Sequence, residues 1–236
     1  MTVTLIGTGN VATSLCPALQ RAGHEVRQLH GRTFRTEEVT GEVVIIAVRD
    51  DAVHTVAERL ADCDGLVVHT AGSIPMDAIP SRRRGVLYPM QTFSKARTVD
   101  FAEVSLFVET ATDMPRLETL ARSLSRHVFR LDSEGRRRLH LAAVFASNFV
   151  NHCYALSDEL LRAHDIPFRV MLPLIDEVAR KVHELPPREA QTGPAMRGDG
   201  EVMARQEAML HGTLRDIYRL MSQSIRELAD GQDGKP

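Results

Sequence analysis

The sequence predicts a doubly wound α/β sheet followed by an all-helical region, and three observations carry that prediction. A short apolar run, Val3-Thr4-Leu5-Ile6, ends in glycine and gives way to helical spacing at Val11, Leu15, Ala18, Leu19 and Ala22. Further strand-like runs then alternate with helical patterns as far as Leu131, the grammar of a parallel sheet with helices on its faces. Beyond Asp132 only helical patterns occur, broken by Pro167, Pro173, Pro186-Pro187 and the glycine-rich stretch Thr192–Gly200.

The opening strand, turn and helix contain Gly7-Thr8-Gly9-Asn10-Val11-Ala12, which fits G-x-G-x-x-G/A, the dinucleotide fingerprint of a Rossmann-like sheet. Gly7 makes the turn. Gly9 removes the side chain that would keep pyrophosphate from the backbone, and Ala12 lets helix and strand pack closely. The free N–H groups at the helix start face the phosphates, so Gly7, Thr8, Gly9, Asn10 and Val11 are the expected cradle. Gly23 closes the helix and Glu25–Leu29 forms the second strand. The residues after that strand choose the cofactor. NAD wants an acid there for the ribose hydroxyls, whereas NADP wants cationic and small polar groups for its extra phosphate. The chain offers His30-Gly31-Arg32-Thr33 and no acid until Glu37, so Arg32 and Thr33 favour NADP.

Glu42–Val48 is a continuous apolar run, as expected of a strand buried on both faces. Asp50 or Asp51 is expected to cap a helix carrying Val53, Val56, Ala57 and Leu60. Gly65–His69 is the next strand and ends in Thr70-Ala71-Gly72-Ser73. Gly85–Leu87 leads into Tyr88-Pro89-Met90-Gln91-Thr92-Phe93. Val104–Val108 and His127–Leu131 are the last strands, with a helix over Pro115–Ser125 between them. Ligands of such sheets lie beyond the carboxyl ends of the strands, so Val48, Ser73 and Gln91 are expected near the nicotinamide.

A length of 236 residues suits one sheet domain with a smaller partner: residues 1–132, a helical domain over 133–230 and a flexible tail over 231–236. A formal charge of −2 gives no reason to expect nucleic acid or an anionic membrane as partner. The arginine triplets Arg82–Arg84 and Arg136–Arg138 read as solvated faces. No apolar stretch is long enough to span a membrane, and the N-terminus reads as a folded strand, not a signal peptide. Cys16, Cys63 and Cys153 are odd in number and widely spaced, which reads as reduced thiols in a cytoplasmic protein without a metal site.

The chemistry of the helical half centres on a helix over about Arg136–His164, apolar over much of its surface yet carrying His140, Ser147, Asn148, Asn151 and His152. His140, Val144, Asn148 and Asn151 follow spacings of four, four and three and so share one face. Such a stripe can bond neighbouring helices. It can also face a cofactor cleft, with His140 as proton donor and Asn148 and Asn151 orienting substrate. Thr192-Gly193-Pro194-Ala195-Met196-Arg197-Gly198-Asp199 is a second cluster. Arg197 could bind a substrate carboxylate beside Thr192, with Asp199 holding the arginine. Equally, Asp199 could cap the next helix. Met203, Met209, Leu210, Leu214, Ile217, Leu220 and Met221 offer apolar faces that suggest a symmetric homodimer through the C-terminal helices.

Five stretches occur together: Gly-Thr-Gly-Asn-Val-Ala, His-Thr-Ala-Gly-Ser, Tyr-Pro-Met-Gln-Thr-Phe, the run from His140 to Asn151, and Thr-Gly-Pro-Ala-Met-Arg-Gly-Asp. In that order they resemble the family of NADP oxidoreductases with a Rossmann-like N-terminal half and a C-terminal domain of unknown function. More distantly the chain is similar to pyrroline-5-carboxylate reductase, ketopantoate reductase and the 6-phosphogluconate or β-hydroxyacid dehydrogenases. The resemblance implies a helical C-terminal domain like that of 6-phosphogluconate dehydrogenase, often dimerising, with substrate held between domains. β-Hydroxyacid dehydrogenases use a lysine followed by an asparagine on the first helix of this half. His140 stands roughly where that lysine would be, and the nearest asparagine is Asn148. Two functions follow. One is an NADP(H)-dependent oxidoreductase acting on a small carboxylate-bearing carbonyl, imine or hydroxy acid, with Gln91, Asn151, Thr192, Arg197 and Asp199 on the substrate. The other is a non-catalytic NADP-binding sensor acting through its helical domain.

Overall fold

The computed structural model describes residues 1–97 and 99–233 of the chain, with the side chains of 232 and 233 set aside. It divides into two compact units, Met1–Val150 and Asn151–Pro236.

In the first unit, β1 (Thr2–Ile6) leads through the glycine turn into α1 (Asn10–Arg21), then β2 (Glu25–Leu29), β3 (Val43–Ile46), α2 (Asp50–Glu58) and β4 (Leu66–His69). β5 (Arg84–Met90), β6 (Ser105–Thr110), α3 (Met114–Leu124), β7 (Val128–Arg130) and α4 (Ser133–Ala143) follow. The strands form one sheet in the order β2-β1-β3-β4-β5-β6-β7. All neighbours are parallel except β5 and β6, which pair antiparallel with Tyr88 opposite Phe107. The doubly wound sheet is therefore as expected, apart from that one reversal.

The continuous apolar runs have a direct cause. Successive residues of a strand point to opposite faces, and both faces are covered. Val3, Leu5, Val43, Ile45, Leu66 and Val68 join a core under α1 and α3. Ile6, Val44, Ile46 and Val67 join a second core with Phe34, Val56, Ala57, Leu60 and Ile79.

Some local expectations are corrected. β5 runs on to Met90, so Tyr88 lies within the strand and not in a loop after Leu87. Arg49, not Asp50 or Asp51, occupies the cap position of α2; the two acids sit in its first turn, where the helix dipole favours negative charge. Arg136 is no part of a solvated face. Its side chain has no exposed surface and is ion-paired to Glu109 of β6. Nη2 also donates to the carbonyl of Ile74 at 2.5 Å and to the Ser133 hydroxyl at 3.2 Å. Ser133 in turn bonds both Glu109 oxygens, at 3.0 and 2.8 Å. These bonds pin α4 to the sheet, which is why the first compact unit extends past the boundary read at 132.

A wide π turn over Val144–Phe149 follows α4. It has a consequence for the polar stripe. Its wider winding departs from 3.6 residues per turn, so the spacings of four and three read for an unbroken α-helix do not carry across it.

The second unit is helical: α5 (Val150–Arg162, entering from the first unit), α6 (Leu172–Glu184), the short α7 (Pro187–Ala190) and α8 (Pro194–Arg197), α9 (Gly200–Ala208) and α10 (Gly212–Asp233). Gly231–Asp233 of the expected tail complete α10, and 234–236 lie outside the described residues. Among the described residues no helix is long and apolar enough to cross a membrane.

Removing one partner of a buried ion pair strands the other charge, at a cost of about 3–5 kcal/mol. Arg136→Met should lower unfolding stability by that order in a urea titration. The double variant Arg136→Met/Glu109→Leu should recover much of the loss.

Candidate functional site

The order β2-β1-β3 places the switch point of the winding between β1 and β3, where open α/β sheets bind ligands. A cavity of about 1030 Å³ opens there, lined by Gly7, Thr8, Gly9, Asn10, Val11, His30, Gly31, Arg32 and Val48 among others. Most of the expected cofactor residues are thus brought together.

The two glycines have distinct physical roles. Gly7 adopts φ +140°, and a Cβ there would meet the carbonyl oxygen of Ala47 at 2.1 Å. Only glycine lets β1 turn so close to the end of β3. Its N–H donates to the Leu29 carbonyl at 2.9 Å, and Gln28 Nε2 donates to its carbonyl at 2.8 Å, which locks the turn onto β2. Gly9 is the opposite case. A Cβ there would meet nothing within 4 Å, so it would stand in the cavity itself. Gly9 is also the cap of α1 and offers no side chain to its N–H groups, while no acid sits in the first turn. Those donors and the helix dipole are left for an anion.

Three guanidinium groups also line the cavity, Arg32, Arg49 and Arg59. Arg32 was expected. Arg49 and Arg59 were not, because they lie on later segments that only the fold brings back to the end of β2. Arg49 pairs with Asp51 at 2.9 Å while remaining 84% exposed. Arg59 lies over the Phe34 ring, 3.7 Å from its centroid, and donates to the Phe34 carbonyl. A cluster of this charge suits a phosphate monoester beside a ribose. The glycine cradle, the uncapped helix and the arginines together fit an NADP molecule. Thr33 lies next to this group but is not among the lining residues.

A second constellation gathers around Tyr88 of β5 and His69, the last residue of β4. Tyr88 Oη lies 3.1 Å from His140 Nδ1, with the rings edge-on at 79° and 5.9 Å between centroids. Tyr88 is buried, and burial pushes its phenol above the ordinary value. The ring of His140 also packs on Gly72, where a Cβ would stand 2.6 Å from Nδ1. Below them His69 is fully buried. Its Nδ1 accepts from the Ala71 N–H at 3.1 Å, so Nε2 carries the proton and donates to the Pro75 carbonyl at 3.3 Å. Desolvation, assisted by nearby Arg136, lowers its pKa to about 4, and the ring is neutral.

The remaining expected residues are placed as follows. Ser73 donates its hydroxyl to the Asp50 carboxylate at the start of α2, outside the cavity. Gln91 is exposed after β5, its Oε1 accepting from Thr92 N at 2.8 Å. Asn148 is exposed in the π turn, and Asn151 opens the second unit. Thr192 and Arg197 are exposed around α8, which sits between Gly193 at φ +111° and Gly198 at φ +68°. Asp199 caps α9, accepting from Val202 N at 3.4 Å, and among the described residues it forms no ion pair with Arg197.

Sequence reading missed Tyr88, Arg136, Arg49 and Arg59. A tyrosine in an apolar strand and arginines in charged runs give no local signal. Their partners are distant in the chain.

The model of a domain of unknown function, DUF2520, matches residues 104–225. No curated protein matches the chain. Among solved structures, a protein from Bacteroides fragilis provisionally assigned as an NADP oxidoreductase is 42% identical, with 96% of this chain and 98% of that one covered and a TM-score of 0.87. An imine reductase from Myxococcus stipitatus in complex with NADP+ is 16% identical, covering 100% and 96%, TM-score 0.65. Pyrroline carboxylate reductase from Plasmodium falciparum with NADP bound is 9% identical, covering 97% and 98%, TM-score 0.62. At these identities the last two share the fold.

Proposed function

The chain belongs to the NADP oxidoreductase family that carries this C-terminal domain of unknown function, and we propose that it reduces a small carboxylate-bearing carbonyl or imine compound with NADPH. The observation that carries the reading is the cavity at the β1–β3 switch point, lined both by the uncapped start of α1 and by Arg32, Arg49 and Arg59. Gly7, Gly9, Asn10 and Val11 would hold the pyrophosphate, and the arginines the 2′-phosphate. NADPH supplies the hydride when bound.

What the chain must add is a proton at the heteroatom of the substrate. His140 is the group suited to it, since an imidazole titrates near neutrality. Asn148 and Gln91 are its proposed companions in orienting substrate. Arg197, exposed on a turn bounded by two glycines, is the proposed carboxylate anchor.

The protein should bind NADPH more tightly than NADH by calorimetry. Arg32→Ala should remove most of that preference, about 1.5–3 kcal/mol for a charge-assisted contact, or tenfold to a hundredfold. Equal affinities in the unsubstituted protein would refute the assignment of the arginine cluster.

Turnover is tested by following NADPH oxidation at 340 nm across a panel of 2-keto acids and cyclic imines. His140→Ala should lower kcat by about 10²–10⁴-fold with NADPH affinity retained. Arg197→Ala should mainly raise KM. Tight NADPH binding with no reduction of any member would favour a cofactor-sensing role instead.

The helices of the second unit leave Met209 72% exposed, Leu220 67% and Met221 49%, whereas Leu210 is tucked inside at 8%. Apolar side chains so exposed are costly in water, and we propose that a symmetric homodimer covers them. Light scattering at micromolar concentration should return twice the chain mass; a monomeric mass would exclude it.

A further inference from the structure

We propose that Tyr88 is the positioning residue for proton delivery: its Oη accepts the Nδ1–H of His140, leaving Nε2 as the atom that hands over the proton. This rests on the reading of His140 as proton donor and adds a residue from the sheet to it.

The geometry comes first. Tyr88 is 7% exposed on β5, a central strand, so its hydroxyl has little freedom to move. The 3.1 Å contact with Nδ1 engages one ring nitrogen and leaves the other available. Gly72 packs against the same Nδ1 side of the ring. A Cβ there would stand 2.6 Å from Nδ1, 2.8 Å from Cγ and 3.0 Å from Tyr88 Cε2. At Nδ1 the imidazole is thus packed against both a phenol and a bare stretch of backbone, with no side chain from Gly72 to push it off the hydroxyl. Its helix is fixed as well. Arg136, one turn earlier on α4, is buried against Glu109 and the Ile74 carbonyl.

The chemistry then has one direction. A histidine that donates a proton does so as imidazolium, in which both nitrogens are donors. The contact at Nδ1 can then only be Nδ1–H to Oη, and a phenol oxygen can accept it. When Nε2 gives its proton to the heteroatom, the ring is left neutral with hydrogen on Nδ1, still bonded to Oη. Water restores the proton at Nε2. The charges that act on Tyr88 are Arg136 on α4 and Asp50 at the start of α2, and His69 nearby is neutral. Burial keeps Tyr88 in its phenol form.

Histidine ¹⁵N NMR of the protein without cofactor tests the pairing directly. Where the ring is neutral, the unsubstituted protein should show hydrogen on Nδ1, and Tyr88→Phe should return the ring to the Nε2–H form usual in water. Gly72→Ala, which crowds the ring off the phenol, should do the same with Tyr88 still present. Tyr88→Phe should also reduce kcat about tenfold or more, as loss of an orienting partner of histidine does, with KM and NADPH affinity unchanged and the acid limb of the pH profile displaced. A tautomer unchanged by Tyr88→Phe overturns the proposal whatever the activity. So does an altered tautomer with kcat and pH profile intact. If the tautomer changes but no carbonyl or imine is reduced by the unsubstituted protein, the pairing stands and the reductase reading falls.

Discussion

A guanidinium with no exposed surface decides where the first helix beyond the sheet lies. Burying Arg136 means stripping it of water, and the cost is offset only because its charge meets Glu109 and its N–H groups meet the Ile74 carbonyl and Ser133. Such a pair tolerates little displacement. An apolar contact would let α4 slide along the strands by a fraction of a turn, whereas these directional bonds fix both depth and rotation. The position of His140, one turn on, follows from them. Glu109 sits on β6 opposite Val86 of β5, the one antiparallel pairing of the sheet, and supplies the partner of Arg136.

The sheet itself depends on glycine at one place more than any other. β1 and β3 end side by side, and Gly7 fits where even a methyl group would overlap the Ala47 carbonyl. That close approach makes the floor of the cavity and aims the start of α1 across it. The same economy appears at Gly72, where absence of a side chain admits the imidazole. Two glycines after two strands of the sheet therefore leave room for a ligand's phosphates and for the ring of His140.

Much of this was legible in the sequence, and the reason is periodicity. Strands buried on both faces must be continuously apolar, as Val43–Ile46 and Leu66–His69 largely are, and amphipathic helices between them announce a parallel sheet. The glycine turn was legible because its requirement is local. Arg32 was legible for the same reason, since it follows β2 directly. Arg59 was not, because its meeting with Phe34 and the end of β2 depends on packing across 25 residues of chain. Tyr88 and His140 are 52 residues apart, and neither announces the other. The π turn over Val144–Phe149 was invisible as well, since the spacing rule assumed an unbroken α-helix. Arg136 misled most, for a triplet of arginines gives no hint that its first member is the one buried.

The charge state of His69 follows first from its burial and then from the buried charge of Arg136 beside it. One buried positive charge is already present, so a second nearby would be strongly disfavoured. His69, fully enclosed, accordingly stays neutral, and its hydrogen bonds specify the tautomer: Nδ1 accepts from Ala71, Nε2 donates to Pro75. It serves as a structural clasp for the loop that carries Gly72. His140 differs in environment, not in chemistry. It is only half-buried, so water can solvate a positive ring and return a proton to it. Two histidines at one edge of the sheet thus stand at different depths, one fully enclosed and neutral and one half-buried. Depth of burial beside a single arginine separates them.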